Sequence, residues 1–436
     1  MKVAVIGGGI SGLSCAYYLT KAGHEPVVFD PAPGGSIGTV VVDGCILETG
    51  PESWLAAKPW AEQLIRELGL GDQLTGSNDA GRRTYVLRHG KFVTLPEGLQ
   101  MVVPTKIRPV LESQLFSWKT KVRMGIEMFR SPQALPDRSV SAFVADHFGE
   151  EAVAYLAEPL LAGVYGGSPD QLSAPSVLPR FVEYEQRYGS VVVGTMRNKT
   201  AASGQPIFKS MRRGMGTLID DLVRRVTLQR VKVESIELLE TGWQVLANGQ
   251  RLDFDHVVLG CGANHAAPLI AATEPRLAEL LAAIPYGSSS IWTFGYRRSD
   301  VPHPLDAFGF LVPGAERRTI MACTWVGPKW SGRVPEDKAV FRCFSTDPEA
   351  SRESMLEDLN RLMGMNAEPI FELTHRWPDS MPQYAVGHTA LVQEIDSRAA
   401  AIPGFSLIGN AFHGIGIPDC VRSAKTAAER INQSRS

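Results

Sequence analysis

The sequence has no C-x-x-C pair. Its six cysteines (Cys15, Cys45, Cys261, Cys323, Cys343, Cys420) are scattered along 436 residues, which argues against a zinc site and against a secreted disulfide framework. No two of the nine histidines form an H-x-x-x-H pair, so no metal is expected. No strand-to-helix nucleophile elbow supports a serine hydrolase. No run of 18 apolar residues exists, so no spanning helix is expected. The first apolar segment is broken by glycines and lacks a cleavage pattern, which reads as strand and turn rather than signal peptide. Charge is nearly balanced, with a net value of −2, and gives no global attraction to nucleic acid. A reducing, cytoplasmic setting is the default expectation. The length exceeds what one compact core usually holds, so two or three lobes are expected.

What is present begins at the first residues. Lys2–Ile6 reads as a short buried strand. Gly7, Gly9 and Gly12 then give G-x-G-x-x-G, Ile10–Lys21 carries helical periodicity, and Glu25–Phe29 reads as a second strand with Asp30 at its end. This is a complete βαβ dinucleotide fingerprint. Gly7 lets the chain turn, Gly9 lets the backbone approach a pyrophosphate, and Gly12 lets helix and strand pack closely. Ile10 and Ser11 open the helix whose start would hold the phosphates. Asp30 can accept hydrogen bonds from both ribose hydroxyls, and it would repel a phosphate there.

A second glycine-rich pass follows, "GGSIGTVVVDGCILETGPES" at 34–53, where a nicotinamide dehydrogenase would proceed to its next βα unit. Near the other end, "GNAFHGIGIPDCVRSA" at 409–424 repeats the grammar of turn then helix, with Pro418 suited to a first helical turn. One helix start can hold one phosphate; two turns suggest a long ligand held at separate places.

These segments carry a resemblance. "VIGGGISGLSCAYYL", "GGSIGT" and "GPESWL", then "LPEGL", "EPLLAGVYGGSPDQLS", "SMRRGMGTLIDDL", "WPDSMPQYAVGH" and "GIGIPDC" are similar to the monoamine-oxidase-like flavoproteins and, within them, to the porphyrinogen oxidases. The resemblance implies an α/β fold with a Rossmann-like FAD domain built from discontinuous segments (1–80, 212–264 and 395–436). A mixed-sheet substrate domain would comprise 81–104 and 265–394, and a helical insert 105–211. It implies FAD contacts at Gly34, Gly35, Ser36, Gly50, Pro51, Glu52 and Ser53, and at Gly409, Asn410, Gly416 and Ile417. The Val233 backbone would lie against the adenine, although an ordinary core valine explains the pattern equally well. Leu161, Gly163 and Tyr165 would line a substrate slot. Relatives often carry a base near Ser36 and an arginine near Gln100, and this chain has neither. The implied reaction is oxidation of protoporphyrinogen IX or coproporphyrinogen III with O2 as acceptor and hydrogen peroxide as product, in heme biosynthesis. No catalytic acid or base is assigned, and His413 reads as a spacer. An amine oxidase or desaturase of the same superfamily, or a silent FAD-binding scaffold, stays open.

Residues 105–130 hold six basic and two acidic residues, with Trp118, Met124, Met128 and Phe129 between them. Such a segment suits a solvated face over an ordinary core, peripheral contact with an anionic membrane, or attraction of a polycarboxylate substrate to a nearby pocket mouth. Residues 189–212 read as a mobile loop. Homodimerisation stays open.

Overall fold

The computed structural model describes residues 1–198 and 206–433. These form two compact units. The first gathers Met1–Ser77, Pro206–Tyr286 and Ala390–Ser436. Its centre is a five-stranded parallel sheet in the order Thr227–Gln229, Glu25–Phe29, Lys2–Ile6, His256–Leu259, Phe405–Leu407. The central strand is apolar and buried from Val3 to Ile6 because both faces are covered. Val3 and Val5 pack under the helices Ile10–Lys21 and Ile417–Gln433, with Leu13, Ala16, Val421 and Ala424. Ala4 and Ile6 face the opposite way, toward Ile236, Trp243 and Val245. Those three come from an antiparallel sheet of Val233–Leu238, Trp243–Ala247 and Gln250–Phe254. Alternation along one strand thus feeds two separate cores.

The second unit comprises Asn78–Gln205 and Gly287–Thr389. Its seven-stranded sheet runs Phe371–Pro382, Tyr286–Arg297, Lys338–Ser345, Ala322–Trp325, Gly309–Leu311, Tyr85–Arg88, Lys91–Thr94. The pairing is mixed, parallel between Gly309–Leu311 and Tyr85–Arg88 and antiparallel at the neighbouring contacts. Trp292, Phe294 and Phe341 on one face pack with Leu356 and Leu359 of helix Arg352–Met363. Between 107 and 188 the regular elements are helices, separated by irregular stretches.

One expectation needs correction. The segment 189–212 is not simply a loop: Val191–Arg197 is a helix and Phe208–Met211 a strand, while 199–205 lie outside the described residues. The run of valines hid the helix because its start is fixed from outside. The Ser190 hydroxyl accepts from Val193 N–H, and the buried Glu127 carboxylate accepts from Val191 N–H at 2.7 Å.

Candidate active site

Strands Lys2–Ile6, His256–Leu259 and Phe405–Leu407 are adjacent and parallel, so the loops that follow them leave one edge of the sheet. Backbone contacts hold those loops side by side. Gly7 has φ +109°, and a Cβ there would stand 2.6 Å from the Cys261 nitrogen and 2.7 Å from the Gly260 carbonyl carbon. Only glycine fits both the conformation and the space. Gly409 has φ +133°, with the Cys261 carbonyl 3.9 Å from the position of its absent Cβ. The two glycine turns from opposite ends of the chain therefore flank one short loop, 260–262.

In the first turn, a methyl on Gly12 would overlap the Gly7 carbonyl oxygen, so the helix can spring directly from the turn only with glycine there. Gly9 differs. Its φ of −73° suits any residue, and a methyl there would meet no protein atom within 4 Å. No side chain caps this helix start, so its leading amides are available to an acceptor from outside the chain. Asp30 is held at the strand end by Gly8 N–H at 2.6 Å and Ala32 N–H at 2.7 Å. Each carboxylate oxygen keeps a further lone pair for a ribose hydroxyl.

The second glycine pass folds onto the first. Gly34 N–H donates to the Gly8 carbonyl at 2.8 Å, and the place a Cβ would take on Gly35 is 3.5 Å from Gly9 Cα. A methyl on Gly50 would overlap the Ser36 carbonyl, so Gly50 through Ser53 run beside that loop. Of these, Pro51 is exposed, Ser53 half-buried and Glu52 buried, its carbonyl accepting from the Ser210 hydroxyl. The letters G-x-S-x-G do occur, at Gly34–Gly38. They lead into the hairpin Thr39–Val42/Cys45–Glu48 rather than into a helix, so they make no nucleophile elbow.

The second turn, Gly409–Gly416, leads into helix Ile417–Gln433, with Asn410 half-buried. Buried Asp419 organises it. A Cβ on Gly414 would stand 2.6 Å from Asp419 Cγ, and one on Gly416 3.1 Å from its Oδ2. Lys58 Nζ donates to the same Oδ2 at 2.5 Å, tying the segment after Gly50–Ser53 to this turn. The Cys420 thiol lies within hydrogen-bond reach of Ser11, which joins the two helix starts. Val233 is buried at the end of its strand, in the core with Ile236. It follows four residues after Gln229, whose carbonyl accepts from Asp30 N–H. Burial pushes the Cys261 thiol up to about 12, too high for a thiolate nucleophile at neutral pH. His413 is exposed and pairs with Asp396 at 3.0 Å.

The expected slot residues lie on helix Glu158–Tyr165 of the second unit. Leu161 and Tyr165 share its buried face, and the Tyr165 ring meets Tyr384 edge-on at 5.9 Å. Gly163, two positions from each, faces open space. The helix therefore does not bring the three onto one surface.

Sequence reasoning missed the Lys58–Asp419 pair. An acid in the first turn of the last helix was a visible signal, but nothing local marks Lys58. Among the described residues, Asp146, His147 and Glu185 bring possible ligand atoms within 4.8 Å of one another. Both His147 nitrogens, however, already bond Glu127 and Glu185, and Arg130 and Arg138 pair with the acids. This is an ion-pair network.

The uncapped helix start, the open space over Gly9 and the tethered Asp30 fit an adenine dinucleotide. The remaining turns fit the far end of a long one. Residues 10–432 match the family model described as flavin containing amine oxidoreductase. The chain is 33% identical to coproporphyrinogen III oxidase of Bacillus subtilis, over 98% of this chain and 96% of that protein. It is 26% identical to protoporphyrinogen oxidase 2 of Arabidopsis thaliana, over 99% and 93%. A crystal structure from Exiguobacterium sp. 255-15, provisionally called a protoporphyrinogen oxidase, superposes with a TM-score of 0.87 at 29% identity, covering 99% of each chain. The chain belongs to the flavin containing amine oxidoreductase family, and its cofactor is FAD.

Proposed function

We propose that this protein oxidises coproporphyrinogen III to coproporphyrin III, with O2 as the terminal acceptor, in heme biosynthesis. The observation that carries the reading is the end-to-end extent of the similarity to the Bacillus subtilis coproporphyrinogen III oxidase, which takes in both units. Bound in its cradle, FAD supplies repeated two-electron oxidation of the saturated bridges between pyrroles, each turnover consuming one O2 and releasing one hydrogen peroxide.

The chain's own residues supply binding and orientation. Gly9 and the uncapped start of helix Ile10–Lys21 take the pyrophosphate, and Asp30 takes the ribose. Ser36 is uncharged, so phosphate charge rests on backbone amides and helix dipole. The start of helix Ile417–Gln433 places positive partial charge at the other turn, where it favours negative charge on a reduced flavin ring. Lys58, bound to Asp419, fixes that turn.

Parallel assays on coproporphyrinogen III and protoporphyrinogen IX, following porphyrin fluorescence and peroxide, test the reading. Preference for coproporphyrinogen by at least about tenfold in kcat/KM supports it. Turnover of amines with neither porphyrinogen oxidised overturns it.

A further inference from the structure

Asp419 is the acid in the first turn of helix Ile417–Gln433, and it is 4% exposed. Its carboxylate stands against the bare faces of Gly414 and Gly416, inside the turn that leads into the helix. A carboxylate buried there opposes what the helix start offers a ligand. The unbonded amides amount to roughly half a positive charge, and one ionised acid outweighs them. Two cations answer it. Lys58 Nζ donates to Oδ2 at 2.5 Å. Arg422 stands 3.6 Å from Oδ1, but its guanidinium donates to the His413 carbonyl at 3.1 Å and lies 4.6 Å over the Trp60 ring. His413 and Asp396 pair with each other at 3.0 Å. Lys58 is thus the cation in direct hydrogen-bond contact with the acid. Both charges of the pair are felt beyond it. Burial pushes the neighbouring Cys420 thiol up to about 11; Asp419 adds to the rise and Lys58 works against it. A buried ion pair is weak evidence for stability, which leaves the charges themselves to explain.

We propose that the Lys58–Asp419 pair sets the reduction potential of the flavin, with Lys58 a positioning residue that acts through Asp419. The inference rests on the reading above, in which the redox-active end of FAD lies at the turn Gly409–Gly416. Reduction adds negative charge to the flavin ring, so Asp419 alone disfavours it. Lys58 offsets the carboxylate and restores the positive character of the helix start. The pair therefore holds the potential above the value that the bare acid would impose, which favours electron transfer from the substrate.

The test is the two-electron potential of the full chain loaded with FAD, equilibrated with reference dyes under slow chemical reduction and without porphyrinogen. Lys58→Met should lower it by about 30 mV or more, a tenfold fall in the ratio of reduced to oxidised flavin for a two-electron couple. Asp419→Asn should raise it by a similar amount. The double variant should return close to the starting value, and Lys58→Arg should keep it. Opposite signs separate charge from scaffolding, because two variants that merely loosened the turn would move the potential the same way. If Asp419→Asn fails to fold or to hold FAD, the comparison of Lys58→Met with Lys58→Arg decides. An unchanged or raised potential in FAD-loaded Lys58→Met overturns the proposal, as do shifts of one sign in both single variants. A wrong substrate reading shows differently: the opposed shifts persist, and no porphyrinogen is turned over.

Discussion

Gly9 and Gly12 are the same residue type three positions apart, and they serve different partners. Gly12 is required by the protein, because its methyl would collide with the Gly7 carbonyl. Nothing in the chain requires Gly9, because its methyl would meet no protein atom; in the proposed function that space is taken by the pyrophosphate. Gly9→Ala should therefore fold with an unchanged midpoint as apoprotein and bind FAD at least about tenfold more weakly, about 1.4 kcal/mol. Gly12→Ala should lower the midpoint of the apoprotein itself. Isothermal titration with FAD and thermal melting separate the two; full FAD affinity in Gly9→Ala would remove the pyrophosphate from that position. The turn built by Gly7, Gly9 and Gly12 and the placing of Asp30 at the strand end could be read from the sequence because their spacing is local. The Lys58–Asp419 bond could not, since its partners lie far apart in sequence and meet only through the sheet.

At the scale of elements, strand Lys2–Ile6, helix Ile10–Lys21 and strand Glu25–Phe29 form where periodicity and glycine punctuation put them. Helix Val191–Arg197 escaped because Glu127, on a different helical segment, caps it. Glu127 also anchors a buried network: His147 Nδ1 lies 2.9 Å from Glu127 and Nε2 3.1 Å from Glu185, which meets Arg138 at 2.5 Å. Burial alone would lower the His147 pKa, but bonds to the two carboxylates raise it above its ordinary 6.5. Burial would likewise raise Glu185, but His147 and Arg138 hold it below its ordinary 4.5. The raised histidine stabilises fully below about 6.5 and loses its contribution as pH rises through its folded value. The lowered acid stabilises fully above about 4.5 and loses its contribution as pH falls through its folded value. Stability should thus decline on both sides of a mildly acidic window. His147→Leu leaves two carboxylates facing each other, so it should cost about 3–5 kcal/mol and abolish the alkaline decline that His147 causes. Urea unfolding across pH checks this; an unaltered alkaline limb would mean that His147 is neutral in the fold.

For the whole molecule, the first unit is assembled from three stretches of chain separated by the second unit's sequence. Their parallel strands stand next to one another, so turns written at residues 7–12 and 409–416 open on one edge. The returning strands were visible as short apolar runs, and their neighbours were not, because strand order depends on long-range pairing that no local pattern encodes. The placement of Gly163 away from Leu161 and Tyr165 shows the same gap: shared motif membership does not put residues on one face of a helix. The central claim is that these turns hold one FAD which a porphyrinogen reduces. The direct measurement is an anaerobic titration of the FAD-loaded protein with coproporphyrinogen III, read as loss of flavin absorbance. The account predicts complete bleaching at about one-third of an equivalent, since each porphyrinogen yields six electrons and each flavin takes two, and colour returning on admission of air. Protein that carries stoichiometric FAD yet stays yellow with excess porphyrinogen would contradict it.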